Sequence, residues 1–189
     1  VFPDTYFFVW YMFASGSTTS DEGLLMTMEA HSVNQGSPLD KFPPAQHDLV
    51  RSMTIENMPL TVAHELIHYQ QPDIKTNSLL EKAVREGSAD FVAELICGEN
   101  PSIVTHTYAN PREEELWNEF KQKMYGDDYS GWVGIPNDRP AGLSYWMGYK
   151  IIEAYYDKQP NKVKAVKAII EAEDYQKIFE QSGYADKFQ

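Results

Sequence analysis

Cysteine is nearly absent from this sequence. The one thiol, Cys97, excludes an internal disulfide and any thiolate zinc centre. It lies in the apolar run FVAELICG and is expected as a small buried hydrophobe. Positive charge is also scarce: 16 Lys and Arg against 28 Asp and Glu leave a net charge of −12. That balance argues against a nucleic-acid partner, because phosphate recognition needs clustered basic side chains. No apolar run reaches the ~18 residues of a transmembrane helix. No Met opens the chain; Val1 does, which predicts a processed or excised piece with any signal peptide or lipid-anchor cysteine upstream. Repeats and low-complexity tracts are lacking too. What is present, 42% hydrophobic and 13% aromatic residues in a length of 189, is enough for one compact domain with a substantial core.

The pattern along the chain is α+β. Thr5 to Ala30 reads as two aromatic-rich strands joined by a Gly/Ser/Thr/Asp turn, and His31 to Asp48 as loop. Helices follow. One starts at Met58, capped by Asn57 and ended by Pro72. The next covers Ser78 to Cys97, with Asn77 as cap and Gly98 as stop. A third starts at Asn110 as cap, with Pro111 first and Glu113 as capping-box partner; its REEELWNEF run is a solvated face. After a loop over Asp127 to Gly142, helices fit Leu143–Lys158, Lys162–Ala172 and Tyr175–Ser182, with Asn161 and Asp174 as caps for the last two.

The chemistry concentrates in two of these helices. In HELIH, His64 and His68 lie four apart and project from one helical face, where two imidazoles can grip one ion. The plainer explanation is an amphipathic helix with incidental histidines, and Leu60, Ala63 and Ile67 do give it a core-facing stripe. Against that, the chain has only five histidines and two of them bracket Glu65. A catalytic zinc needs three protein ligands and an open position. Glu86, 18 positions after His68 on a helix that can fold back beside the first, can supply the third. Asp90, one turn further, can accept a hydrogen bond from the second ring nitrogen of a ligand histidine, His64 for preference. Glu65-x-x-His68 is also half of a di-iron carboxylate signature, but Met28, Pro44 and Ile103 stand three residues before the other candidate histidines, so the second half is missing. His31, His47 and His106 read as ordinary loop histidines.

HELIH followed by EGSAD resembles the gluzincin metallopeptidases. Together with FPDTYFFVWYMFASGSTTSDEGLLMTMEA, TVAHELIHYQQ and RPAGLSYWMGYKIIEAYYDK, it is similar to uncharacterised bacterial zinc-dependent proteases, many of them lipoproteins by prediction. The spacing to Glu86 is one or two residues shorter than in the best-known gluzincins. The resemblance implies a zincin-like fold: a small sheet and the two site helices in residues 1–98, a helical lobe in 99–189, and a cleft between. It implies Zn2+ on His64, His68 and Glu86, with Glu65 as general base in peptide-bond hydrolysis. It further implies an oxyanion-steadying tyrosine, Tyr149 for preference and Tyr145 next, and an edge strand, Gly23 to Ala30, that pairs with a peptide or protein substrate. An extracytoplasmic location, with a lipid anchor upstream, comes from the same resemblance. The alternative is a zincin-fold binding or assembly protein of the bacterial envelope with little turnover.

Overall fold

The computed structural model describes residues 3–9, 17–134 and 139–189. The fold is α+β and mainly helical, with a small sheet near the N-terminal end. The sheet has three short strands, β1 (Thr5–Phe8), β2 (Ser17–Ser20) and β3 (Gly23–Thr27), in the order β1-β3-β2. β3 pairs parallel with β1 and antiparallel with β2. The strand expected at a free edge is therefore the central one, with both hydrogen-bonding edges taken, and it cannot receive a peptide. Its burial explains the placement: Leu24, Met26 and Thr27 are shielded from solvent on a strand of five residues. The chain then leaves the sheet in a 3-10 turn, Met28–His31. Residues 10–16, part of the expected first strand, lie outside the described residues.

Eight helices follow among the described residues: α1 (His47–Arg51), α2 (Met58–His68), α3 (Leu79–Cys97), α4 (Ile103–Ala109), α5 (Glu113–Lys123), α6 (Leu143–Lys158), α7 (Lys162–Ile170) and α8 (Tyr175–Ser182). The short α1 begins at the end of what reads as loop, and α4 carries no clear sequence signal. Asn161 and Asp174 cap α7 and α8, their side chains accepting from the amides of Lys164 and Lys177. Three other expected caps differ, and for Asn57 and Asn110 a competing partner wins. Ser78, not Asn77, caps α3 and accepts from the Glu81 amide. Asn57 donates to the Ser52 carbonyl and leaves the start of α2 without a side-chain cap. Asn110 opens a 3-10 turn, where its side-chain oxygen Oδ1 accepts the Trp146 indole N–H at 2.8 Å; Glu113 turns to Tyr184 and Lys187.

The most extensive helix contact joins α3 and α6, and two glycines make it. A Cβ on Gly87 would lie 2.0 Å from the Tyr149 amide nitrogen, and one on Gly148 would lie 1.7 Å from the Ala83 carbonyl oxygen. Only glycine permits the two backbones to touch this way. Around this crossing one hydrophobic core gathers Ile67, Val84, Phe120, Trp132, Trp146 and Phe179. The boundary expected at residues 98/99 runs through that core, so the two lobes of the sequence reading form one packed body. Cys97 is only partly buried, because the last turn of α3, with Leu95 and Ile96 exposed, extends past the core. No helix among the described residues is long and apolar enough to cross a membrane.

Candidate metal centre

α2 and α3 run antiparallel. His68 faces Glu86, His64 faces Asp90, and Pro59 faces Cys97, so residue numbers fall on one helix as they rise on the other. The loop between them is short, and its register is held by Gln71 and Arg85. The Arg85 guanidinium donates to the Pro72 carbonyl, while the Gln71 amide donates to the Arg85 carbonyl and the Ser88 hydroxyl.

Those contacts decide how the two imidazoles stand. His64 Nδ1 is 2.7 Å from Asp90 Oδ1, and His68 Nδ1 is 2.7 Å from Gln71 Oε1. Gln71 must present its oxygen to His68, because its nitrogen faces the Arg85 carbonyl, which can only accept. With each Nδ1 donating outward, both Nε2 atoms turn inward and meet the same carboxylate oxygen: Glu86 Oε2 lies 3.1 Å from His68 Nε2 and 3.4 Å from His64 Nε2. Asp90 is itself held by the Ser102 hydroxyl at 2.6 Å. Gln71 and Ser102 escape a sequence reading. Gln71 had a faint signal, three residues after His68 where the helix ends; Ser102, twelve positions beyond Asp90, had none.

The donor set suits zinc. Two imidazole nitrogens and a carboxylate oxygen are a catalytic-type ligand set, and in a tetrahedron with ~2.0–2.1 Å bonds the ligand atoms sit about 3.3 Å apart. The observed 3.1 and 3.4 Å match that edge, and one ligand atom from each of the three residues lies within 4.8 Å of the others. Electrostatics agree. Burial opposes a charged His64, but the Asp90 and Glu86 hydrogen bonds and charges outweigh it and raise its pKa to about 10. Burial likewise opposes a charged Glu86, yet both histidines hold its carboxyl well below the usual carboxylate range. The pocket between α2 and α3 is thus built to hold positive charge next to Glu86, as a proton or a cation.

Glu65 lies beside this cluster with 9% of its surface exposed. Burial pushes its carboxyl above the ordinary range, against the lowering effect of His64 and His68. It lines a cavity of about 390 Å³ together with His31, Leu60, His64, Asp90 and Tyr145. Tyr145 stacks on His64, ring centroids 5.9 Å apart and planes 10° from parallel, and its hydroxyl engages Glu86. Burial and the nearby carboxylates keep that hydroxyl protonated. Tyr149, preferred on sequence, is placed elsewhere. It packs edge-on against His106 and Phe91, with its hydroxyl near Glu94, two helical turns beyond Glu86 on α3. Both tyrosines share a face of α6, but one helical turn, about 5.4 Å, separates the metal cluster from the far side of the Gly148 crossing.

The family model described as gliding motility protein GldB matches residues 3–186. No curated protein and no solved structure matches the chain.

Proposed function

The chain belongs to the gliding motility protein GldB family, and from that premise we propose an envelope-associated lipoprotein of the gliding machinery that holds zinc on His64, His68 and Glu86 and serves in binding or assembly. The family description supports the envelope setting and the assembly role. One observation carries the zinc: each Nε2 atom lies at the spacing of a tetrahedral edge from Glu86 Oε2, while Asp90 and Gln71 occupy the outward nitrogens.

A second reading, peptide-bond hydrolysis, is favoured by the surroundings of Glu65. Zinc with three protein ligands and an open position acts as a Lewis acid and makes water acidic near neutral pH. Glu65, its pKa raised by burial and its side chain lining the cavity that also reaches His64, suits a general base that takes a proton from water and returns it to a leaving amine. Tyr145, protonated and stacked on His64, suits a hydrogen-bond donor to developing negative charge on a carbonyl oxygen. Tyr149 faces other partners and has no part in this arrangement.

Zinc content and cleavage of a peptide library, measured on wild type and Glu65→Gln, separate the readings. The assembly reading expects about one zinc in each protein and no cleavage by either. Cleavage by wild type that disappears in Glu65→Gln, with zinc retained, establishes the hydrolase. Absence of bound zinc in both removes the metal centre.

A further inference from the structure

Ser102 stands at the N-cap position of α4, where a serine ordinarily accepts from an amide of the first turn. Here the side chain makes no cap bond. Its hydroxyl turns away from its own helix and donates to Asp90 Oδ2 at 2.6 Å. α4 is only seven residues long, a length at which a cap matters, and the cap is forgone. The backbone is set for this diversion. The Ser102 amide donates to Asn100 Oδ1 at 2.8 Å, and Asn100 Nδ2 donates to Glu94 Oε2 at 2.6 Å. Glu94 lies one turn beyond Asp90 on α3, so the segment from Asn100 to Ser102 is clamped back onto α3 at two successive turns.

Asp90 is 2% exposed, and its two oxygens are divided between two partners. Oδ1 meets His64 Nδ1 at 2.7 Å and Oδ2 takes the Ser102 hydroxyl. A carboxylate held at one oxygen swings about its Cβ–Cγ bond; held at both, it is fixed in plane and fixes what it touches. His68 has a matching arrangement, since Gln71 accepts at its Nδ1 and donates to the Ser88 hydroxyl. Each imidazole is thus braced by a partner and by a serine behind that partner. We propose that Ser102 is a positioning residue of the metal centre: through Asp90 it fixes the His64 ring with Nε2 turned toward Glu86, and so sets how tightly the cluster holds zinc. The inference deepens the metal reading above and rests on it for the zinc readout alone.

The test uses the full chain and two readings. One is zinc affinity by competition with a chelator. The other is the proton NMR signal of the His64 Nδ1–H in zinc-free protein, which lies far downfield when that proton sits against a buried carboxylate. Ser102→Ala is expected to weaken zinc binding about fivefold, less than the 10–100-fold typical of a partner that touches the ligand itself, and to move the Nδ1–H signal upfield. Ser102→Thr, which keeps the hydroxyl, is expected to stay within about twofold of wild type. Once Asp90→Ala has removed the intermediary, Ser102→Ala is expected to add nothing. A serine that merely satisfies a buried acid would lower the melting temperature in Ser102→Ala and leave the Nδ1–H signal unchanged, and that result overturns the proposal. Ser102→Thr as weak as Ser102→Ala overturns it, as does a further fivefold loss on top of Asp90→Ala. The threonine variant and the NMR signal decide the matter even if Asp90→Ala fails to fold. Wild type that holds no zinc, with an Nδ1–H signal that moves in Ser102→Ala, supports the positioning role and removes the metal reading alone.

Discussion

α3 presents two unlike faces to its neighbours. Toward α6 it offers Ala83 and Gly87, and the backbones meet with no side chain between them. Toward α2 it offers Glu86, partly buried, and Asp90, fully buried, two acids that face imidazoles. The first face is dry, close-packed and favourable at every contact. The second buries groups that cost free energy unless each finds a charged or hydrogen-bonded partner. The difference teaches how such a cluster is afforded. The glycine crossing fixes the height and rotation of α3, and the side chains of the polar face then fall within hydrogen-bond distance of α2. Tyr145, one turn before Gly148 on α6, is delivered to His64 by the same crossing.

Breaking the dry face should have the largest effect. In Gly148→Ala the new methyl meets the Ala83 carbonyl carbon at 2.3 Å, so the helices must part. A loss of about 3 kcal/mol or more is expected, equal to a fall of about 6–12 °C in melting temperature at this length. Circular dichroism melts check it, and a wild-type melting temperature would mean that α3 and α6 do not touch at the backbone. The polar face should respond in the opposite sense. Glu86→Gln keeps the shape, removes the anionic ligand, and is expected to lower zinc affinity more than ~100-fold, beyond the 10–100-fold typical of outer-shell partners. The zinc-free melting temperature should move far less than in Gly148→Ala. Competition titration with a zinc chelator reads the affinity; a Glu86→Gln protein that binds zinc like wild type would remove Glu86 from the ligand set.

The two faces also differ in how well a sequence shows them. His64, Glu65 and His68 are legible because their spacing is local and the helix alone puts two rings on one side. Glu86 and Asp90 are legible one step further out, because the loop before α3 is too short to let it go elsewhere. The extents of α6 and α8 are legible from periodicity and from caps such as Asp174, whose partners are three residues away. The glycine crossing is not, since Gly87 and Gly148 are 61 positions apart and nothing local marks them as partners. The same distance hides the choice between Tyr145 and Tyr149, which turns on the height of Gly148 against Ala83 rather than on which face of α6 they share. Asn110 and Asn57 mislead for a related reason: a cap signal is local, and Trp146 or the Ser52 carbonyl competes for the same side chain. The central position of β3 depends on β1 pairing across an intervening strand, which alternation in one segment does not reveal.

Protons should sharpen the contrast, because they act on the polar face only. In zinc-free protein the His64 pKa is raised from 6.5 to about 10. Its stabilising contribution is complete below pH 6.5, the unfolded value, and is lost as pH rises through about 10. Zinc binds the neutral imidazole and must displace that proton. The zinc-loaded protein should therefore hold its melting temperature between pH 6.5 and 10 while the zinc-free protein declines, so the stabilisation due to zinc grows with pH over that window. Calorimetric melts with and without zinc at several pH values measure it. A zinc-dependent shift that shrinks as pH rises would mean that His64 is not the proton-bearing ligand.

The smallest effect tests the residue that a sequence reading passes over. Gln71 holds the His68 ring through Nδ1 and is itself held by Ser88 and the Arg85 carbonyl. Gln71→Leu keeps the volume and removes the acceptor, so the His68 ring is free to rotate and its Nε2 no longer points steadily at Glu86. About a tenfold loss of zinc affinity is expected, the lower end of the outer-shell range. The Ser88 hydroxyl keeps its bond to the Arg85 carbonyl, so α3 should not shift and the melting temperature of zinc-free protein should change little. Gln71→Glu provides the opposite case. Its carboxylate still accepts from His68 and makes the imidazole a stronger ligand, as Asp90 does for His64, but it faces the Arg85 carbonyl without a donor. Zinc affinity at or above wild type together with a lower zinc-free melting temperature is the expected pair of readings. If both substitutions leave affinity unchanged, the orientation of His68 is set by packing, and the polar face is less dependent on its outer hydrogen bonds than its geometry indicates.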